Sequence, residues 1–303
     1  MREDSKVYIR NLLADLTPLQ PVETGVAPVF SHDPEIKAVV FDIYGTLLVS
    51  SSGDIDEAEI SSDILYKAFE AASITISNGS DEVLSAILED FNNTVRISHD
   101  AAKKNAIPYP EIDVLTIWKI VLIHARRKKM VNYSDDADIS LMTCVFEFLS
   151  NQVYPMPGMK NILNRLQQKN IPLGVVSNAQ FYTPVIMNYY LNDKISMKQK
   201  IKGIDRELTV FSYKLGKGKP DSSLFEELVP TLKWKYGLIP KEVLFVGNDM
   251  LKDVYAASNA GFKTALFAGD KRSLRMREDD GRIDGVKPNH VITELEQILT
   301  ITG

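Results

Sequence analysis

The 303-residue sequence predicts an α/β protein: a parallel β-sheet with helices on both faces, plus an α-helical domain inserted after the first strand. Three observations carry this. Short apolar runs rich in β-branched residues are continuous rather than alternating, as strands buried on both faces require. Beyond residue 155 such runs alternate with segments of helical periodicity, the pattern of repeated strand–helix units. Roughly a hundred residues with no convincing strand pattern separate the first run from the others.

Composition sets the bounds. The length allows a large core and two domains. A net charge of −5 offers no basic surface for nucleic acid. The one dense basic run, Arg126-Arg127-Lys128-Lys129, closes an apolar segment, where cations favour a helix C-terminus. Cys144 is the only cysteine, which excludes an internal disulfide and fits a reducing compartment. It lies in the apolar run Met142–Phe146 and reads as a small buried hydrophobe. Residues 1–19 lack a signal-peptide pattern, and the apolar run Val114–Ile123 contains Lys119 and is too short to span a bilayer. The expectation is a cytoplasmic protein without membrane attachment. The sequence is silent on oligomeric state.

Residues 1–35 read as an N-terminal extension: a short helix over Lys6–Leu16, then an extended tether from Thr17 to Pro34 with four prolines. Ile36–Phe41 is a buried strand ending on Asp42. Residues 51–154 read as a helical domain. Leu84, Ile87, Leu88, Phe91 and Val95 recur at helical spacing, as do Val114, Ile117, Val121 and His124. His124 thereby falls on a core-facing stripe. Ser134 is the expected cap of a last helix running from Asp135 towards Tyr154. The core domain, residues 36–50 and 155–303, resumes with a helix at Met159–Leu166 and a strand at Leu173–Val176. A helix at Tyr182–Leu191, a strand at Leu208–Phe211 and a helix at Leu224–Leu232 come next. The strand Val243–Val246, a helix at Leu251–Ala260, the strand Thr264–Phe267 and a helix at Glu294–Thr300 complete it.

Four segments with reactive side chains fall at the C-terminal ends of strands or in the loops beyond, the edge where open α/β sheets bind ligands. The first is Phe41-Asp42-Ile43-Tyr44-Gly45-Thr46-Leu47, whose Asp42 points into the cleft while Gly45 turns the chain away. The second, Val176-Ser177-Asn178, offers a hydroxyl to an anionic oxygen. The third, Gly218-Lys219-Pro220, supplies a cation, and it lacks the spacing of a nucleotide-binding P-loop. The fourth runs from Gly247 to Asp253. Its Asp249 and Asp253 are hard oxygen ligands that suit Mg2+ and gain from a helix N-terminus. Each alone has a plain reading as a turn or cap.

Together, in this order, the four segments resemble the motifs of the haloacid dehalogenase-like hydrolase superfamily across residues 37–265, and the inserted helices resemble its helical cap. The resemblance implies a Rossmann-like core and a small, anionic substrate. It implies Asp42 as the nucleophile of a covalent aspartyl intermediate, Thr46 as a support for the loop and the substrate, and Ser177 with Asn178 binding the transferred group. Lys219 would stabilise negative charge. Mg2+ would be held by Asp42, the backbone carbonyl of Tyr44 and Asp249, with Asp253 as a further ligand or as partner to Lys219.

The sequence departs from the family's phosphatases at Tyr44, where an acid/base Asp is usual. A phenol with a pKa near 10 is a poor base at neutral pH. Tyr at this position resembles the 2-haloacid dehalogenase branch, which needs no metal. Asp249 and Asp253 favour a metal-dependent phosphatase instead, although Asn248 stands where an Asp is frequent. Mg2+-dependent phosphatase, carbon–halide hydrolase and non-catalytic relative are therefore the three readings, in that order.

Overall fold

The computed structural model describes residues 2–51, 61–77 and 81–303. Strand β1 (Ala38–Phe41) is buried at every position. Its side chains alternate between two cores: Val39 and Phe41 pack on one face of the sheet, Ala38 and Val40 on the other. This is why the run is apolar without alternation.

Among the described residues, β1 sits inside a six-stranded sheet with β6 (Leu173–Ser177), β7 (Thr209–Phe211), β8 (Val243–Gly247), β9 (Lys263–Phe267) and β10 (His290–Ile292). The order is β10-β9-β8-β1-β6-β7, and every neighbouring pair is parallel. Register decides the site. Phe41 lies opposite Val175 on β6 and Val246 on β8. Asp42, Ser177 and Asn248 therefore leave the sheet at one edge.

The chain departs from that edge along β2 (Leu48–Ser50) and returns along β5 (Val153–Pro155), which pair antiparallel. Between them lie α2 (Ser62–Ala71), α3 (Asp81–Lys104), α4 (Val114–Arg127) and α5 (Ile139–Ser150). Residues 52–60 and 78–80 of the expected helical stretch lie outside the described residues. Phe91, Trp118 and Phe146 form an aromatic cluster among these helices, with the Phe91 and Trp118 rings stacked at 4.5 Å. The stretch is not wholly helical: β3 (Thr75–Ile76) and β4 (Val131–Asn132) form a two-residue antiparallel ladder, too short to leave a period-2 signal. The cap of α5 is Asp138, whose Oδ1 accepts from Leu141 N at 3.0 Å, and not Ser134, whose hydroxyl bonds Asp136. Cys144 is buried, and His124 Nδ1 lies 3.1 Å from Asp90 Oδ2.

Past β5, helices α6 (Met159–Gln168) and α7 (Thr183–Asn192) match expectation closely. The helix expected at 224–232 is broken into short turns around Pro230, which lacks an N–H. The one expected at 251–260 opens as a π-helical turn, Met250–Tyr255. The edge strand β10 has no counterpart in the sequence reading.

Residues 1–35 are more firmly attached than an appendage. Helix α1 (Glu3–Ala14) buries Ile9 and Leu13 and packs on α5, with Ser5 Oγ donating to Asp138 Oδ2 at 2.9 Å. The tether then runs along the sheet edge, where Val29 and Val291 exchange backbone hydrogen bonds at 2.8 and 2.7 Å and Thr24 Oγ1 donates to Ala268 O.

Candidate active site

The strand ends converge on a cleft of about 60 Å³ lined by Asp42, Tyr44, Ser177, Asn178, Lys219, Asn248, Asp249 and Asp253. Lys219 is its hub. Its ammonium donates to Asp42 Oδ1 at 2.7 Å and to Asp253 Oδ1 at 2.5 Å, and all three side chains are buried. Burial alone would lower the lysine's pKa, but the Asp253 and Asp42 carboxylates together raise it above its ordinary value. Burial pushes Asp253 upward, against the pull of Lys219. The lysine is thus a fixed cation beside Asp42.

Asn178 positions that lysine: its Oδ1 accepts from Lys219 N at 2.7 Å and its Nδ2 donates to Lys219 O at 3.2 Å. Its amide is committed to the Lys219 backbone there. Thr46, expected to contact substrate, is fully buried; its hydroxyl donates to Asn248 Oδ1 at 3.1 Å, and Asn248 Nδ2 donates to Ser273 O. This brace supports the turn at Gly45, which has φ +80°; a Cβ there would lie 2.7 Å from both Asn248 Nδ2 and Ser273 Cβ. Ser177 is different. Its Oγ is buried and has no hydrogen-bond partner among the described residues, so its donor is uncommitted at the strand end.

Tyr44 turns its hydroxyl to Thr183 Oγ1, 2.9 Å away. Burial raises its pKa, opposed by the Thr183 contact and reinforced by Glu147 and Asp42. It is a neutral phenol at physiological pH.

Asp249 is the N-cap of the π-helical turn: Oδ1 accepts from Leu251 N at 2.8 Å and Lys252 N at 3.0 Å. Asp253 Oδ2 accepts from Asp249 N at 2.9 Å. Asp253 lies within that turn and meets Lys219 through Oδ1. The sequence reading missed the loop after β9. Arg275 exchanges backbone hydrogen bonds with Asn248 and Met250, and Ser273 and Arg275 line the cleft. Arg277 reaches Asp249 Oδ2 from Nη2 at 2.6 Å and from Nε at 3.1 Å. The only signal was the basic run Lys271-Arg272-Ser273-Leu274-Arg275-Met276-Arg277 directly after a strand. A larger cavity, about 620 Å³, lies between residues 21–26 and the ends of β9 and β10, and none of the four segments contributes to it.

The donor set fits a hard divalent cation by chemistry: the Asp42 and Asp249 carboxylates and the Tyr44 carbonyl are oxygen ligands. It is not a ready-made cage. Among the described residues no three His, Cys, Asp or Glu side chains converge as a metal cluster. Both Asp253 oxygens are taken, by Lys219 and by Asp249 N.

Fold and sequence agree on the class. The chain belongs to the haloacid dehalogenase-like hydrolases, whose family model matches residues 36–261. It is 32% identical over 199 residues to a phosphoglycolate phosphatase of Pasteurella multocida (strain Pm70), covering 62% of this chain and 76% of that protein. The structure of a 2-haloacid dehalogenase from Pseudomonas syringae pv. Tomato DC3000 superposes with a TM-score of 0.54 at 19% identity, over 87% of this chain and 96% of that one. That likeness concerns the fold. Among the described residues, no helix is long and apolar enough to cross a membrane.

Proposed function

We propose that the chain is a Mg2+-dependent phosphatase of a small phosphorylated metabolite, with Asp42 as nucleophile. The observation that carries the reading is the buried Asp42–Lys219–Asp253 chain beside the Ser177 hydroxyl, which has no partner among the described residues. The identity to a phosphoglycolate phosphatase supports phosphoryl transfer ahead of carbon–halide cleavage.

Asp42 Oδ attacks phosphorus and the bond to the leaving alcohol oxygen breaks, giving an aspartyl phosphate. Ser177 Oγ donates to a phosphoryl oxygen, while Lys219 offsets charge on the carboxylate and then on the acyl phosphate. Water then cleaves the phosphorus–oxygen bond and restores Asp42. Mg2+, held by Asp42, Asp249 and the Tyr44 carbonyl, would shield carboxylate from phosphate. Tyr44 is no base here, so the leaving alkoxide takes its proton from solvent or substrate, and turnover is slow. Helices α2–α5 act as the cap domain (residues 51–154) that selects the substrate over the core (36–50 and 155–303), with residues 1–35 joining the two.

One observation favours carbon–halide hydrolysis as a second reading: the neutral Tyr44 phenol at the acid/base position. A panel of phosphate esters and 2-haloacids, each with and without EDTA, tests the pair. Phosphate release abolished by EDTA is the expected result; halide release undiminished by EDTA supports the second reading and contradicts the first.

A further inference from the structure

Asp249 is the carboxylate on which a cation site in this cleft would depend, and both of its oxygens are engaged. Oδ1 is held by two backbone N–H groups of its own turn. Arg277 donates to Oδ2 through Nη2 at 2.6 Å and Nε at 3.1 Å, and its Nε also reaches Oδ1 at 3.3 Å, a fork that spans both oxygens with Asp249 only 6% exposed. The guanidinium thus supplies the positive charge that a metal would otherwise bring to Asp249.

Two further features single out this contact. Arg277 has φ +56°, in the left-handed region that costs a side-chain-bearing residue strain. Its loop is stitched to the fourth motif, with Arg275 N donating to Asn248 O at 3.0 Å and Met250 N donating to Arg275 O at 2.9 Å. The loop backbone is therefore fixed next to Asp249. The Arg277 side chain, 30% exposed, lies outside that backbone ladder, so it can move without breaking it.

We propose that Arg277 is a latch on the cation site, holding Asp249 in the metal-free chain and competing with Mg2+ for its carboxylate. Two cations cannot share Oδ2 at contact distance in a partly buried cleft without mutual repulsion. Mg2+ binding then requires the guanidinium to leave, and the apparent affinity is lowered by the strength of the contact released. Arg277 is a positioning residue, acting through Asp249. The inference rests on the proposed cation site but not on the reaction catalysed there.

The test is calorimetric titration of MgCl2 into the full chain and into Arg277→Gln and Arg277→Lys. The expected result is Mg2+ binding roughly tenfold tighter in Arg277→Gln, the scale of one charge-assisted contact. Arg277→Lys, which keeps the charge and loses the fork, falls between. Should Arg277→Gln not fold, arginine Nε–H resonances of the wild-type chain provide the second measurement. One signal protected without metal should lose its protection as Mg2+ saturates. Equal or weaker Mg2+ binding by Arg277→Gln, no Mg2+ binding by either protein, or an Nε–H signal indifferent to Mg2+ would each overturn the latch. A chain that meets the expectation yet hydrolyses no phosphate ester keeps the latch and loses the phosphatase reading.

Discussion

Lys219 is where residue-scale physics bears hardest on this site. A buried ammonium persists only with compensating charge, and Asp42 and Asp253 supply it. Lys219→Met should leave two buried carboxylates facing each other and cost roughly 3–5 kcal/mol in urea unfolding; unchanged stability would mean that the ion pairs contribute nothing. Glu147, on α5, accepts from Tyr182 OH at 2.8 Å, and burial pushes its carboxyl from the ordinary 4.5 up to about 7. Between those values the native state holds more protons than the unfolded chain. This stabilising contribution is full below pH 4.5 and is lost as pH rises through 7. Thermal unfolding at pH 5 and pH 8 should therefore show a smaller pH-dependent loss in Glu147→Gln than in wild type, and parallel losses would contradict it. Asp42, Ser177 and Asp249 could be found in the sequence because each follows or flanks a strand end, and Lys219 because it lies in the loop region beyond one. Arg277 could not: its partner is fixed by how a loop folds back, and spacing along the chain carries no record of that.

Among the elements, the strands were the most legible, because burial on both faces writes an unbroken apolar run, as at β1 and β8. Edge strand β10 was invisible: three residues, one of them His290, leave no apolar run to read. The π-helical turn at Met250–Tyr255 was also hidden, since one extra residue per turn barely disturbs apolar spacing. It nonetheless carries Asp253, whose carboxylate meets Lys219. The cap of α5 illustrates the competition between neighbouring cap residues. Ser134 and Asp138 are both good candidates, and the side chain that reaches Leu141 N is the one that caps. Asp138→Ala should cost about 1 kcal/mol, with the added loss of the Ser5 contact, whereas Ser134→Ala should stay within about 0.5 kcal/mol. Paired urea titrations check this, and equal losses would refute the assignment.

For the whole molecule, the N-terminal segment is the largest surprise. It reads as a motif-free extension, a short helix and an extended tether, but Ile9 and Leu13 are buried against α5 while Arg10 Nε donates to Asp193 Oδ1, at the end of α7, at 3.0 Å. Long-range packing of this kind depends on surfaces assembled elsewhere and so cannot be read locally. Ile9→Ala should destabilise the chain by roughly 2–5 kcal/mol in urea unfolding, and a loss under 0.5 kcal/mol, the range of an exposed site, would mean that α1 is merely apposed. The central claim is that these packed layers exist to present Asp42 as a nucleophile to a phosphate ester. Rapid quenching during turnover of a phosphate ester, followed by mass spectrometry of the peptide containing Asp42, tests it most directly. The account predicts a phosphoryl adduct on Asp42, absent from Asp42→Asn along with activity. Phosphate release with no adduct, undiminished in Asp42→Asn, would contradict it.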